Sequence, residues 1–260
     1  TQPLRILFSA PAYWPAQGFG GPIWEARELA AGLAARGHTI DVVTTTLHDL
    51  RFGRSLRSHS ASVDEVSVHY LATPFRYRWM GVTPTAPLLL GRLKSPDVAH
   101  ILGFRDPIGV ALAAWCRRHQ LPYVLQPLGM LMPQLRKVRM KRVLDSVALA
   151  WIPRGAARIV VTSGRERAQV LATGAAPERV IVRPIGFPAP DERVRQSLRR
   201  LLGIDGEPLV LYVGRIAAGK GIELLLETTR RLPEMHLALV GPDAGHGVAR
   251  AVAAAQNTPG

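Results

Sequence analysis

Two loops of this sequence carry residue types that bind anions. Residues 9–21 end in the sequence GFGG, and Pro22, which suits the first position of a helix, follows directly. Gly18, Gly20 and Gly21 would let the backbone approach a ligand closely, and the free N–H groups and dipole of the helix would favour a negative charge. A glycine turn before a helix is often only a turn, so both interpretations stay open.

The second loop lies within the sequence LVLYVGRIAAGKGIELLLE. A strand of buried type ends at Gly214, and Arg215 and Lys220 follow before a helix that we expect to begin around Gly221. Two cations at the head of a helix suit a diphosphate, because each charge-assisted contact contributes about 1.5–3 kcal/mol. A nucleotide-binding P-loop is excluded, since Gly221 rather than Ser or Thr follows Lys220. The alternative is a pair of solvated cations in a loop.

The strands and helices that would position these two loops alternate along the chain. Residues 184–190 hold three prolines and a glycine, which no regular element tolerates, and the pattern restarts after them. We therefore predict two α/β domains, residues 1–187 and 188–260, with a parallel sheet in the first and too few strands in the second to complete one. The predicted strands are 4–10, 39–45, 63–71, 97–102, 123–126, 158–162, 180–183, 209–213 and 235–240, and the predicted helices are 23–36, 107–119, 133–150, 165–173, 191–202, 221–231 and 247–256.

Composition narrows the class of protein. The apolar fraction of 47% is that of a globular chain, and no apolar run is long enough to cross a bilayer. We expect no secretory signal, since residues 4–10 have the pattern of a strand. The single Cys116 excludes a disulfide framework, so we expect a cytoplasmic protein. The net charge of +14 indicates either attraction to an anion or simply an arginine-rich composition. The cations follow no nucleic-acid-binding motif, so we expect no nucleic-acid partner.

The motifs occur in the order found in one enzyme family. The GG-P turn followed by ELAAGLAARGHTIDVVT, the segment ARIVVTSGRERAQVLATGAAPERVIVRPIGF, and VGRIAAGKGIELLLE beyond the proline-rich stretch resemble family 4 glycosyltransferases. The resemblance spans nearly the whole chain. It implies a GT-B fold, with two Rossmann-like domains facing across a cleft, the first on the acceptor side and the second binding the nucleotide sugar.

The resemblance also implies roles for particular residues. Arg215 and Lys220 would hold the donor diphosphate, Gly20 and Gly21 would approach it from the first domain, and no catalytic metal or other cofactor is expected. The enzyme would retain anomeric configuration and pass a sugar to a glycan or lipid-linked acceptor, in cell-envelope or polysaccharide synthesis.

Three departures from the family pattern stand out. Gln126 replaces a customary histidine, and its amide binds hydroxyl groups but carries no proton. His100, by contrast, fits another recurring histidine at a strand end and is a second candidate catalytic residue, with a packing role as the alternative. The segment around Arg183 keeps the proline and glycine of the family's hinge without its asparagine. The family's acidic E-x7-E segment is absent before residue 260, so we expect this chain alone to be inactive.

The basic segment 136–142 suggests a membrane as a partner. It contains no acidic residue, and its cations are Arg136, Lys137, Arg139, Lys141 and Arg142. On a helix they would bind the anionic inner face of a membrane and admit a lipid-linked acceptor, or would form an ordinary solvated face. We expect the aromatic residues near position 75 to lie in a loop, where they stack on a sugar or cover the core edge. The competing classes are a partner-dependent binding subunit and a nucleotide-sugar epimerase.

Overall fold

The computed structural model describes residues 2–48, 55–77, 79–131, 149–186, 197–204, 206–217, 220–232 and 234–242. The chain divides into two compact units, Thr1–Phe187 and Pro188–Gly260. No helix within the described ranges is both long and apolar enough to cross a membrane.

The first unit alternates strands and helices, as predicted. Its strands are β1 (Arg5–Ala10), β2 (Thr39–Thr45), β3 (His59–Val63), β4 (Val66–Leu71), β5 (Phe75–Tyr77), β6 (Met80–Val82), β7 (Val98–Leu102), β8 (Tyr123–Gln126), β9 (Arg158–Val161) and β10 (Val180–Val182). Its helices are α1 (Gly21–Ala34), α2 (Ala86–Leu90), α3 (Pro107–Arg118), α4 (Trp151–Gly155) and α5 (Gly164–Leu171), with short 3-10 turns at Gln17–Phe19 and Pro177–Arg179.

Eight strands form one sheet in the order β10-β9-β8-β7-β1-β2-β4-β3. Neighbouring strands are parallel, except that β3 and β4 are antiparallel. The strand order reverses beside β1, which pairs with β2 on one side and β7 on the other. In open α/β sheets, ligands bind at the carboxyl ends of the strands around such a reversal. The predicted α/β class with a parallel sheet is confirmed.

The side chains on the two faces of β1 pack into different hydrophobic clusters. Leu7 belongs to the cluster packed with α3, whereas Phe8 belongs to the cluster packed with α1. Because successive side chains of a strand point to opposite faces, a fully buried strand needs a continuous apolar run, as β1 has. Each fully buried side chain of this size contributes about 1.5–3 kcal/mol.

Two predictions between residues 59 and 82 are wrong. The strand predicted over 63–71 is interrupted at Asp64 and Glu65, which have φ of 50° and 64° and form the turn between β3 and β4. Arg27 on α1 holds Asp64 through two hydrogen bonds, a contact that alternation of apolar residues cannot reveal. The aromatic loop predicted near position 75 is a hairpin, because β5 and β6 pair in antiparallel register.

Strands and helices also alternate in the second unit. Its described elements are α6 (Ser197–Leu202), β11 (Leu209–Val213), α7 (Ile222–Arg230) and β12 (His236–Val240), and the two strands pair in parallel. The predicted strand 209–213 is confirmed with the same bounds, and the helix predicted over 221–231 is confirmed within one residue at each end.

Four predictions fall outside the described residues, in whole or in part. They are most of the helix over 133–150 with its cations Arg136, Lys137, Arg139, Lys141 and Arg142, the later prolines of the hinge, the first half of helix 191–202, and the helix over 247–256.

Candidate functional site

Four side chains meet near the carboxyl ends of the first unit's strands. Gln126 is the last residue of β8, His100 lies in β7, Arg183 follows β10, and Glu25 lies in the second turn of α1. We call this group the Gln126 network. Gln126 and Glu25 are buried, with exposed fractions of 0% and 4%, whereas the Arg183 side chain is 36% exposed.

The amide of Gln126 connects all four members. Its Nε2 donates to Glu25 Oε1, and its Oε1 accepts from Arg183 Nη2 at 3.2 Å. His100 Nε2 lies 3.0 Å from the same amide oxygen. Since a carboxamide oxygen only accepts hydrogen bonds, this arrangement requires the His100 hydrogen on Nε2. Arg183 Nη2 also donates to Glu25 Oε1, at 2.9 Å.

Burial controls the charges of the network. It raises the pKa of Glu25, an effect opposed by the hydrogen bond from Gln126 and by the positive charge of Arg183. Burial also lowers the pKa of His100 to about 4; the Gln126 hydrogen bond opposes this shift and Arg183 adds to it. His100 is therefore neutral at neutral pH, and its ring orients neighbouring groups rather than carrying a proton.

A second buried carboxylate fixes the adjacent loop. Glu166 is 6% exposed, and its two oxygens accept hydrogen bonds from Gly129 N at 2.6 Å, Thr162 N at 2.8 Å and Thr162 Oγ1 at 2.9 Å. Leu128 and Gly129 both have positive φ, of 52° and 75°. The loop after β8 is thus held in an unusual backbone conformation by a carboxylate at the start of α5.

The predicted glycine turn lies at the N-terminus of α1. Gly20 is the N-cap, with φ of 82° and ψ of −150°, a conformation that essentially only glycine adopts. A Cβ added at Gly21 would meet nothing within 4 Å, so this position is open to an incoming group. Glu25 lies about one turn further along α1, so the structure brings the glycine turn to the same edge of the sheet as the Gln126 network.

The predicted cations of the second unit lie in a loop anchored at both strand ends. Gly214 N donates to Val240 O at 2.9 Å, and Tyr212 Oη donates to Arg215 O at 2.9 Å. Lys220 is exposed and directly precedes Gly221, the N-cap of α7 with φ of 76°. Neither the Arg215 nor the Lys220 side chain has an ion-pair partner among the described residues.

The N-terminus of α7 supplies further donors. Among the residues that the structure describes, the first N–H of the helix with an α-helical partner is that of Leu225, which donates to Gly221 O at 3.0 Å. The three N–H groups before it have no backbone partner among those residues, as expected at the N-terminus of a helix. Together with the two cations they form a surface that favours a phosphate or diphosphate.

Glu25, Glu166 and Arg183 were not among the site residues expected from the sequence. Glu25 is two residues from the buried Ile23, about 200° around the helix, so helical periodicity places it away from the core. Glu166 follows the S-x-x-E pattern of a capping box, and this signal accounts for the cap but not for the contacts to Thr162 and Gly129. Arg183 was noted only as part of the hinge.

Comparison with known proteins places these features in a family. A sequence model of the glycosyl transferase 4-like domain matches residues 20–186. The alpha-D-kanosaminyltransferase of Streptomyces kanamyceticus is 34% identical over an alignment that covers 35% of this chain and 26% of that enzyme.

Two solved structures show the same fold. Anabaena HepE in complex with UDP and glucose has a TM-score of 0.66 at 18% identity, over 97% of this chain and 65% of that chain. The catalytic domain of starch synthase IV from Arabidopsis thaliana, bound to ADP and acarbose, has a TM-score of 0.68 at 14% identity, over 97% of this chain and 71% of that chain. The chain thus spans about a quarter of the curated relative and 65% of the HepE chain.

These structural similarities confirm the predicted GT-B type of α/β fold. The family model covers well over half of the sequence, including the glycine turn, the Gln126 network and Glu166, and the chain therefore belongs to the glycosyl transferase 4-like family.

Proposed function

We propose that this protein is a glycosyltransferase that takes a sugar from a nucleoside diphosphate sugar. The loop and helix N-terminus of the second unit carry this proposal, because Arg215, Lys220 and the free N–H groups of α7 form a surface suited to a diphosphate. Family membership supports it, as does the binding of UDP by the structurally similar HepE.

In this proposal the donor diphosphate binds Arg215 and Lys220 directly. In the first unit, Gly20 and Gly21 provide a backbone surface without side chains at the N-terminus of α1, which also favours an anion. Arg215 and Lys220 would offset the negative charge that develops on the leaving diphosphate, so that no metal ion or other cofactor is required.

The proposed reaction retains the configuration of the anomeric carbon. The bond between this carbon and the diphosphate oxygen breaks, and a bond to the acceptor oxygen forms on the same face. The proton of the acceptor hydroxyl passes to the leaving diphosphate oxygen, so no side chain needs to act as a base. We propose that Gln126 and the neutral His100 are the catalytic residues of the first unit, and that they orient Glu25 and Arg183 for contact with a sugar hydroxyl.

The acceptor is proposed to be a glycan or a lipid-linked glycan of the cell envelope or an exopolysaccharide. The resemblance of the motif order to family 4 enzymes supports this choice. A cytoplasmic location, on the inner face of the membrane, agrees with a chain whose single Cys116 is buried and unpaired. The cations at 136–142 remain a proposed contact to an anionic membrane.

Calorimetric titration with UDP, GDP, ADP and their sugar derivatives tests the donor assignment. We expect one nucleotide series to bind, and Lys220→Ala to weaken binding by about ten- to a hundred-fold, equivalent to about 1.5–3 kcal/mol for one charge-assisted contact. Arg230→Ala is the matched control, because Arg230 is an exposed cation at the opposite end of α7. Equal affinity of Lys220→Ala and the unchanged protein would refute the assignment.

Because we expect this chain alone to be inactive, a turnover assay on the protein together with the acidic E-x7-E segment then tests the class of reaction. Transfer of the sugar to an acceptor supports the proposed function. Interconversion of the donor sugar without transfer would identify an epimerase instead.

A further inference from the structure

The hairpin formed by β5 and β6 has two different faces. Gly81 lies on the inner face, where an added Cβ would approach Thr73 Cγ2 to 2.7 Å, Thr45 Cγ2 to 3.1 Å and Leu47 Cδ1 to 3.2 Å. Thr45 is the last residue of β2. The inner face is therefore packed tightly against the carboxyl edge of the main sheet, which is also the edge that carries the Gln126 network.

The outer face of the hairpin is apolar and exposed. Phe75 and Val82 are directly opposite each other across the two strands, and Tyr77 lies two residues from Phe75 on the same face. The exposed fractions of Phe75, Val82 and Tyr77 are 68%, 37% and 54%, and Leu88 on α2, the next element along the chain, is 64% exposed. We call these four residues the hairpin patch.

The sequence around the hairpin patch is basic. Residues 75–94 contain four cations, Arg76, Arg78, Arg92 and Lys94, and no aspartate or glutamate. Arg92 and Lys94 are exposed. The chain as a whole has a net charge of +14. An exposed apolar patch in a segment that has cations and no acidic residues is complementary to a lipid bilayer, in which negatively charged headgroups cover an apolar interior.

We propose that the hairpin patch docks against an anionic lipid bilayer. Phe75 and Tyr77 enter the boundary between headgroups and acyl chains, where the hydroxyl of Tyr77 stays at the headgroups and the ring of Phe75 adds buried apolar area. Arg92 and Lys94 are attracted to the lipid phosphates. The inference rests on the proposed function in one respect, since the bilayer would present a lipid-linked acceptor at the edge of the sheet that carries the site.

Co-sedimentation with vesicles tests the proposal. We expect the protein to bind vesicles of phosphatidylcholine with phosphatidylglycerol, to bind phosphatidylcholine alone at least ten-fold more weakly, and to be released from the anionic vesicles by salt. The double substitution Phe75→Ser with Tyr77→Ser should lower binding to anionic vesicles by about ten-fold or more. Both side chains are more than half exposed, so the fold should persist, which circular dichroism checks.

Leu201→Ser is the matched control, because Leu201 is 80% exposed but lies in the second unit. Its binding to anionic vesicles should equal that of the unchanged protein. An equal loss in Leu201→Ser, unchanged binding in the double variant, or equal binding to neutral vesicles would each overturn the proposal. Loss of self-association in the double variant, measured by analytical ultracentrifugation, would assign the patch to a second copy of the chain and also overturn it.

Titration of the double variant with the nucleotide identified above separates the two proposals. Unchanged nucleotide affinity with lost vesicle binding supports the hairpin patch as a docking surface. If no nucleotide binds while vesicle binding still depends on Phe75 and Tyr77, the donor assignment fails and the docking surface stands.

Discussion

Arg183→Ala should destabilise the first unit through the buried carboxylate of Glu25. The substitution removes the 2.9 Å ion pair and leaves Glu25, 4% exposed, with only the Gln126 amide as a partner. Breaking a fully buried ion pair costs about 3–5 kcal/mol. Because Arg183 is about one-third exposed and solvent screens part of the pair, we expect a loss of about 2 kcal/mol at neutral pH.

The loss should depend on pH in a defined direction. The folded-state pKa of Glu25 lies above its ordinary value of 4.5, so stability falls as the pH rises from 4.5 through the folded pKa. Arg183 is one of the groups that lower this pKa. Removing Arg183 raises the folded pKa further, so the loss should be greatest at neutral pH and small at pH 4.5 and below.

A double-mutant cycle tests the cause of this loss. In Glu25→Gln with Arg183→Ala no buried charge remains, and the new amide oxygen still accepts from Gln126, so most of the lost stability should return. Arg165→Ala, which removes an exposed cation from α5, should change stability by less than about 0.5 kcal/mol.

Urea denaturation followed by tryptophan fluorescence measures these changes in the first unit alone. The five tryptophans, Trp14, Trp24, Trp79, Trp115 and Trp151, all lie before residue 188. A loss that is the same at every pH, or a double variant whose loss is the sum of the single losses, would refute the reasoning.

Three further predictions concern other positions in the two units. Glu166→Ala leaves three hydrogen-bond donors without their acceptor and should lower the free energy of unfolding by about 2–4 kcal/mol in the urea assay. Glu178→Ala, at an exposed position, should lower it by less than about 0.5 kcal/mol. Gly241 has a φ of 153°, and a Cβ added there would lie against the backbone carbonyl of Gly214, so Gly241→Ala should lower the stability of the second unit by about 2–4 kcal/mol. Faster amide hydrogen exchange in the second unit measures this loss. Gly206→Ala is the control, because a Cβ added at Gly206 meets nothing within 4 Å. His100 should remain neutral in an NMR titration down to about pH 5, because its pKa is lowered to about 4, and a midpoint near 6.5 would contradict the burial of its ring.

Local pattern was sufficient to predict most elements of this fold. The β-branched run TIDVVTT predicted β2 with the same bounds as the structure, and the apolar run LVLYV did so for β11. The signals in these segments extend over a few residues and do not depend on burial, since β2 is mostly buried whereas Leu211 and Val213 of β11 are 48% and 71% exposed, contrary to the buried type expected for that strand. The strand predicted over 63–71 failed because alternation of apolar residues does not reveal the turn at Asp64 and Glu65, where Asp64 also contacts Arg27, 37 residues away.

The residues of the candidate site also divide into those that local sequence could indicate and those that it could not. The glycine turn at Gly20 and the cations Arg215 and Lys220 stand next to a strand end and a helix start, so their sequence neighbours were enough to indicate an anion site. Their assignment to a donor diphosphate stays a prediction that the titrations above address.

Only the tertiary structure brought the Gln126 network together. Glu25 is 101 residues from Gln126 and 158 residues from Arg183 in the chain, and their contacts arise from the packing of α1 against the sheet and from the order of its strands. The sequence by itself determined most of the strands and helices and the family, because their signals are local. The ion pair of Glu25 and the neutral state of His100 depend on burial and on long-range contacts, which exist only once the chain has folded.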